Sequence, residues 1–435
     1  MFQERMTKEN WYQVISAYAG WLMDGYTTIA YALVAVYISS IFFPSSIGIL
    51  GLIAVFGGFA VEALARPVGS IILGNFLGDK LGRKTMLTMT ILGFSILAAS
   101  KGLLPTYSQV GIVAPILLYI ILFFEGMFAG AEYGGGTALS MESVPKKYRL
   151  PIGAFVQSGF GTGYFIISFV FAAIYGYFGP SGFINVGWRV VFYTTIIPGL
   201  ITLLIRLISK ETKVFENMKI RKEIEKVPLK SLILKGGRPL LFALIFTSGL
   251  LFINTATFSF YPTLFLKQFP NISGSTMGTY VALINLVSLF GVWAGGLIGL
   301  KILRRKLLTL FYGIIFLILV YPIVLLAFSD GSLTMFIAFS IQAFFEAMIF
   351  AAVPAFLSEI FSKKFRTTGV GFAYNGGAIL GGFAISIILA TYYSIKNLML
   401  SWSLWLILSS VLMIVGIIFI KETFIPGEKH DLIEE

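Results

Sequence analysis

Residues 74–87 read GNFLGDKLGRKTML, a knot of glycine and charge from Gly78 to Lys84 set between two long apolar runs. The runs cover about 48–77 and 85–103, and each is long enough for a hydrocarbon core, which needs roughly 20 apolar residues. A polar turn between two such runs is a loop at a membrane surface. The composition agrees. Of 435 residues, 57% are hydrophobic and 12% charged, with a mean hydropathy of +0.89. That is too much apolar surface for one soluble core and too little charge to cover it.

Twelve apolar stretches follow, at about 12–39, 48–77, 85–103, 111–141, 150–177, 188–209, 238–266, 274–298, 307–328, 333–358, 367–393 and 397–421. Lys and Arg orient them. About 26 of the 32 fall in the N-terminal tail, the even-numbered connections and the C-terminal tail. The odd-numbered connections hold Lys101, Arg189, Lys267 and Lys396. Both termini are therefore expected in the cytoplasm, and the opening stretch becomes the cytoplasmic loop between spans 2 and 3. The net charge of +12 is explained by this placement and does not call for nucleic acid.

Several chemistries are disfavoured. Cysteine is absent and the single histidine, His430, lies in a polar tail, so thiolate metal sites and Ser-His hydrolysis have no basis. There is no G-x-x-x-x-G-K-[ST] run for ATP. Gly159-Phe-Gly-Thr-Gly163 sits inside an apolar run and is no dinucleotide fingerprint. The start, MFQERMTKEN, is polar and acid-containing, unlike a cleaved signal peptide.

A long Lys- and Glu-rich segment, 210–237, divides the spans six and six, and the halves echo each other. Gly78-Asp-Lys-Leu-Gly-Arg-Lys84 aligns with Gly299-Leu-Lys-Ile-Leu-Arg-Arg305, and Glu142-Ser-Val-Pro-Lys-Lys-Tyr-Arg149 with Glu359-Ile-Phe-Ser-Lys-Lys-Phe-Arg366. Phe123-Phe-Glu-Gly-Met127 echoes Phe344-Phe-Glu-Ala-Met348, and Lys210-Glu-Thr212 recurs as Lys421-Glu-Thr423. The expected organisation is an N-terminal bundle (1–209), a cytoplasmic linker (210–237), a C-terminal bundle (238–421) and a tail (422–435). Two such halves around a midplane site form a transporter plan.

These residues resemble the major facilitator superfamily, whose hallmark between spans 2 and 3 is G-x-x-x-D-x-x-G-R-[KR]. Asp79, Gly82, Arg83 and Lys84 match, while Asn75 stands where Gly is usual. Asp24-Gly-Tyr26, Arg66-Pro-Val-Gly69, Gly130-Ala-Glu-Tyr-Gly-Gly135, Gln157, Gly187-Trp-Arg189 and Phe260-Tyr-Pro-Thr263 are similar to the metabolite:proton and sialate/lactate-type symporters. The resemblance implies an all-α membrane fold of 12 transmembrane helices in two pseudo-symmetric six-helix bundles. It also implies a cytoplasmic gate of Asp79, Gly82, Arg83, Glu142 and Arg149, with Arg83 pairing Glu142. The repeat supplies Arg304, Glu359 and Arg366 as the counterpart, weakened because Leu300 replaces the Asp. The alternative is that these charges only fix topology.

An ionisable group at the bilayer centre costs roughly 2.5–3.5 kcal/mol on insertion scales, so each needs a reason. Asp24, Glu62, Arg66, Glu125, Glu132 and Glu346 stand well inside apolar spans. Glu62 and Arg66, four apart, share a helix face. They form either a structural pair or a proton-sensitive one in which Arg66 forks a substrate carboxylate. Asp24 has no partner nearby in sequence and suits proton loading, unless another helix supplies one. Glu132, in the stripe Gly126, Gly130, Gly134, matches the family's span-4 Glu. Proton coupling is thus expected at Asp24, Glu62, Arg66 and Glu132. Substrate contact is expected from Arg66, Asp24, Tyr26, Gln157, Glu125, Asn254, Glu346 and Asn375, with Asn254 and Asn375, like Asn285 and Gln342, equally suited to helix–helix bonds.

The expected function is proton-coupled import of a small polar metabolite, first an organic anion, second a sugar or polyol. The chain would work as a plasma-membrane monomer with no cofactor beyond the proton gradient, its partners being the small-molecule substrate, protons and the bilayer. Export is the lesser alternative, because the G-x-x-x-G-P signature of exporters lacks its Pro in residues 153–163. A sensor or intramembrane enzyme is the least supported, for want of a signalling domain or a catalytic constellation.

Overall fold

The computed structural model describes residues 6–73, 83–208, 220, 228–329, 331–361 and 366–424. Among these the long elements are all helices. The first half contains α1 (Lys8–Phe42), α2 (Ile49–Gly69, carried to Leu73 by a π turn), α3 (Arg83–Ser100), α4 (Val113–Ser143), α5 (Arg149–Gly182) and α6, in two pieces, Trp188–Tyr193 and Ile196–Ile208. The second contains α7, also in two pieces, Pro228–Thr257 and Tyr261–Gln268, then α8 (Gly274–Ile298), α9 (Arg305–Ala327), α10 (Ser332–Ile360), α11 (Arg366–Ile395) and α12 (Leu398–Phe419).

Eleven described stretches are long and apolar enough to cross a membrane, and one of them, Arg149–Ile208, is 60 residues long. At 1.5 Å per residue that is about 90 Å, enough for two crossings of a core of about 30 Å with a turn between them. The turn is visible. Gly179 takes φ +64°, open to glycine, and Pro180 follows it. The described residues thus hold twelve stretches long enough to cross, an even number that returns the chain to the face from which it started, here the terminal face.

Proline breaks the two-piece helices that the sequence reading took as continuous. In α7, Pro262 has no N–H for the Phe258 carbonyl four residues back. That carbonyl accepts the Tyr164 hydroxyl from α5 of the other half. The neighbouring Ala256 carbonyl accepts the indole N–H of Trp402 at 2.7 Å. In α6 the interruption at Thr194–Thr195 lies one turn before Pro198. Helix α7 also starts at Pro228, inside the stretch expected as linker, because proline suits a first helical turn. The rest of that linker, apart from Ile220, and residues 425–435 lie outside the described residues.

Within the first half, α1 packs on α5, and α2 on α4. The stripe read from sequence explains the second contact. A Cβ on Gly126 would lie 2.2 Å from the Glu62 carbonyl oxygen, and one on Gly130 would lie 1.9 Å from that of Arg66. The backbones touch, which fixes the depth of both charged residues. Between the halves, α2 packs on α11 and α5 on α8. At the α4–α11 crossing the Cα of Gly371 would be 2.9 Å from a Cβ on Gly134.

Candidate functional site

A cavity in two lobes lies between the halves. Trp21, Phe160, Asn254 and Tyr374 line both lobes. The charged lobe, about 70 Å³, adds Asp24, Glu62 and Arg66. The other, about 50 Å³, adds Gln157, Asn285, Ser288 and Phe258. Among the described residues the buried Trp21 indole N–H and Asn285 side-chain oxygen have no hydrogen-bond partner.

In the charged lobe one cation serves two acids. Arg66 Nη2 lies 2.7 Å from Glu62 Oε1 and 3.1 Å from Asp24 Oδ1. All three side chains are buried to about nine-tenths. The partner absent from the sequence near Asp24 is therefore Arg66, brought across from α2. With every group ionised the triad carries one uncompensated negative charge, in surroundings where such a charge is expensive.

The other expected site residues separate. Gln157 and Asn254 are on the cavity wall. Glu132 is off it, bonded by Arg206 of α6 and by Thr90 at 3.1 Å. Glu125 is held at 3.0 and 2.8 Å by Lys101. Tyr26 donates to Thr194 at 2.9 Å. Glu346 lies behind Asn254, accepting from Thr257 at 2.8 Å and from Asn254 at 3.4 Å. Asn375 is a clip between halves, donating to the Ser70 hydroxyl at 2.8 Å and the Gly130 carbonyl at 2.7 Å.

Sequence reasoning missed Lys101 and Arg206. It also left Trp21, Phe160 and Tyr374 unread. By sequence Lys101 reads as a loop charge, yet it is 1% exposed; Arg206, also 1% exposed, stands near the end of an apolar run. The one available signal was a lone Lys in a cation-poor connection.

Contacts across the halves stand on both sides of the cavity. Toward the terminal face, Tyr133 of α4 stacks on Tyr374 of α11, with Trp21 against both. Beyond them, Arg366 pairs with Glu142 at 3.7 Å and Arg149 with Glu359 at 3.4 Å. The expected gate residues thus cross between halves as two reciprocal pairs, Glu of one repeat to Arg of the other. One expectation is corrected. Arg305, not Arg304, supports Glu359, at 3.4 Å, because Arg304 sits at the extended N-cap of α9. Asp79, Gly82 and the side chain of Arg83 lie outside the described residues. Toward the opposite, far face, Phe56 meets Phe260 edge-on and Tyr164 meets the Phe258 carbonyl.

A helical membrane protein of two six-span halves, with a charged cavity between them and polar ties across the seam, is a transporter. The comparisons agree. Residues 17–323 match the family model of the Major Facilitator Superfamily, to which this chain belongs. It is 29% identical over 376 residues to the inner membrane metabolite transport protein YhjE of Escherichia coli (strain K12), covering 85% of this chain and 84% of the other. It is 28% identical to the ectoine/proline transporter ProP of Corynebacterium glutamicum, over 86% and 76% of the two chains. The Escherichia coli (strain K12) shikimate transporter is 35% identical over 46% of each. The structure of the proton:xylose symporter XylE bound to 6-bromo-6-deoxy-D-glucose superposes with a TM-score of 0.74 over 95% of this chain and 96% of that one. At 16% identity the likeness is one of fold. The relatives and the fold are those of transporters, not of enzymes.

Proposed function

We propose that this chain imports a small organic anion together with protons, by alternating access. The observation that carries the reading is the triad in the cavity wall, in which Asp24 and Glu62 share Arg66. A proton on Asp24 removes one of the two anions facing the guanidinium. That side of Arg66 then becomes available to fork a substrate carboxylate. Loss of the proton returns Asp24 to Arg66 and expels the anion. Proton and substrate therefore bind together and leave together. Shikimate, proline and ectoine, named in two of the relatives, each carry a carboxylate. The terminal face is assigned to the cytoplasm because the Lys and Arg of the loops lie there, in the plasma membrane, with the monomer as the working unit.

The uncharged lobe has a largely apolar wall set with the polar groups of Gln157, Asn285, Ser288 and the unpartnered Trp21 N–H, and these support a second reading, a sugar or polyol as substrate.

Two experiments decide. Proteoliposomes are given an inward proton gradient and a panel of labelled carboxylates, sugars and amino acids. Wild type accumulates its substrate with the gradient and Asp24→Asn does not; uptake indifferent to the gradient in both sinks the coupling. Melting temperatures of the purified protein with the same panel then locate the anion. Stabilisation by a carboxylate that vanishes in Arg66→Gln is expected, about 3 kcal/mol at 100 times the Kd. Stabilisation by neutral sugars, indifferent to that change, replaces the anion reading with the polyol one.

A further inference from the structure

The first half holds a second buried ion pair that the triad does not use. Lys101 stands at the far-face end of α3, in a short 3-10 turn (Lys101–Leu103). Its ammonium reaches inward to both carboxylate oxygens of Glu125, at 3.0 and 2.8 Å. The side chains are 2% and 3% exposed, and neither residue lines the cavity. The turn is fixed from outside. Arg189 donates to the Gly102 and Leu104 carbonyls at 2.7 Å, and the Tyr193 hydroxyl to Gly102 at 2.9 Å.

The pair sits between the far face and the triad. Gly126, next to Glu125, is in backbone contact with Glu62 of α2. Glu125 is within electrostatic reach of Glu62 and Asp24. The Tyr31 ring of α1 lies 5.6 Å from the Lys101 ammonium, and that of Phe192 of α6 lies 5.2 Å away. Tyr31 also makes an edge contact with Phe59, which lines the charged lobe. The titratable or charged groups facing the pair are thus Tyr31, Glu62 and, through Tyr31, Tyr119, with Arg189 and Tyr193 at the turn and Asp24 and Arg66 beyond.

A buried ion pair is poor evidence of stability, since apolar residues of similar volume commonly replace one without loss. Within a membrane an ionisable pair more often marks a path for charge. We infer that Lys101 and Glu125 handle protons on a path from the far face to Glu62, separate from the path of the substrate. The inference rests on the proton-coupled reading above. In the step, a proton reaches a Glu125 oxygen and its bond to Lys101 loosens while Lys101 remains an ammonium. The proton passes to Glu62 and on to Asp24, and the Glu125 carboxylate pairs again with Lys101. One proton crosses and nothing else changes. Glu125 and Lys101 are positioning and relay residues, with no contact to substrate.

The test needs no substrate. Infrared difference spectra of the full chain in lipid are recorded between alkaline and acidic pH. A protonated-carboxyl band that shifts in heavy water is expected, lost in Glu125→Gln and kept in Asp24→Asn. The double variant Lys101→Met/Glu125→Leu keeps the wild-type melting temperature and lacks the band, which covers the case in which Glu125→Gln fails to fold. After a pH jump, the Asp24 band should grow about tenfold more slowly in the double variant. A spectrum in which neither change removes a band makes the pair a static strut and overturns the inference, as does an Asp24 band that grows at the wild-type rate. A wild-type spectrum with no Asp24 band refutes proton coupling at the triad, while the Glu125 band still decides this pair.

Discussion

Removing the two ties across the terminal face tests whether they hold the halves together there. Glu142→Gln breaks the pairing with Arg366, and Arg149→Gln breaks that with Glu359, leaving Arg305 on Glu359. The pairs are long, 3.7 and 3.4 Å, but about nine-tenths buried. That places each between an exposed ion pair, at most about 1 kcal/mol, and a charged hydrogen bond, at about 1.5–3. About 1 kcal/mol each gives about 2 together, which is about 30-fold in the ratio of closed to open terminal face. The wild-type chain has no cysteine, so Ser158→Cys in the cavity wall supplies a single thiol. Its labelling by a membrane-impermeant reagent, applied to each side of sealed vesicles in turn, reads the two openings. Labelling from the terminal side should quicken about 30-fold in the double variant, and labelling from the far side should not. Exchanging the charges of one pair, Glu142→Arg with Arg366→Glu, in a chain that keeps Arg149, should leave the rate slow. A change below about threefold, worth under about 0.7 kcal/mol, would mean that these pairs do not hold the seam.

Two further outcomes concern packing and satisfaction. Gly130→Ala forces a methyl to within 1.9 Å of the Arg66 carbonyl, so the α2–α4 contact must part. Overpacking costs about 1–3 kcal/mol, read as a lowered melting temperature together with loss of ligand stabilisation at Arg66. Gly57→Ala, whose methyl meets only the Tyr119 hydroxyl at 3.4 Å, should change neither. Tyr164→Phe orphans the Phe258 carbonyl at about 1–3 kcal/mol and should both lower the melting temperature and quicken far-side labelling of Ser158→Cys. Trp402→Phe orphans the Ala256 carbonyl within one half and should lower the melting temperature alone.

Twelve crossings and a six-and-six repeat were legible because hydropathy and cation placement act locally along the chain. The Glu62–Arg66 pair was legible for the same reason, since four residues is one helical turn. What crosses the bundle was not. Nothing near Asp24 in sequence names Arg66 as its partner, and nothing near Glu132 names Arg206. Lys101 read as a loop cation because the approach of α4 that buries it is a tertiary fact. The helix breaks at Pro198 and Pro262 are signalled by the prolines but hidden by an apolar composition that runs smoothly through them. Glu346 and Asn375 have the polarity of cavity residues, but the helix rotation that turns them away is set by packing.

The carbonyl of Phe258 carries one more consequence. It lost its donor within its own helix to Pro262 and borrows one from the opposite half. When the halves part on that side, the borrowed hydroxyl leaves with α5. Water must then arrive at that oxygen in the same movement, so the far side opens only as fast as it wets. Opening there should slow under osmolytes that withdraw water, while opening on the terminal side, governed by charge, should answer to salt.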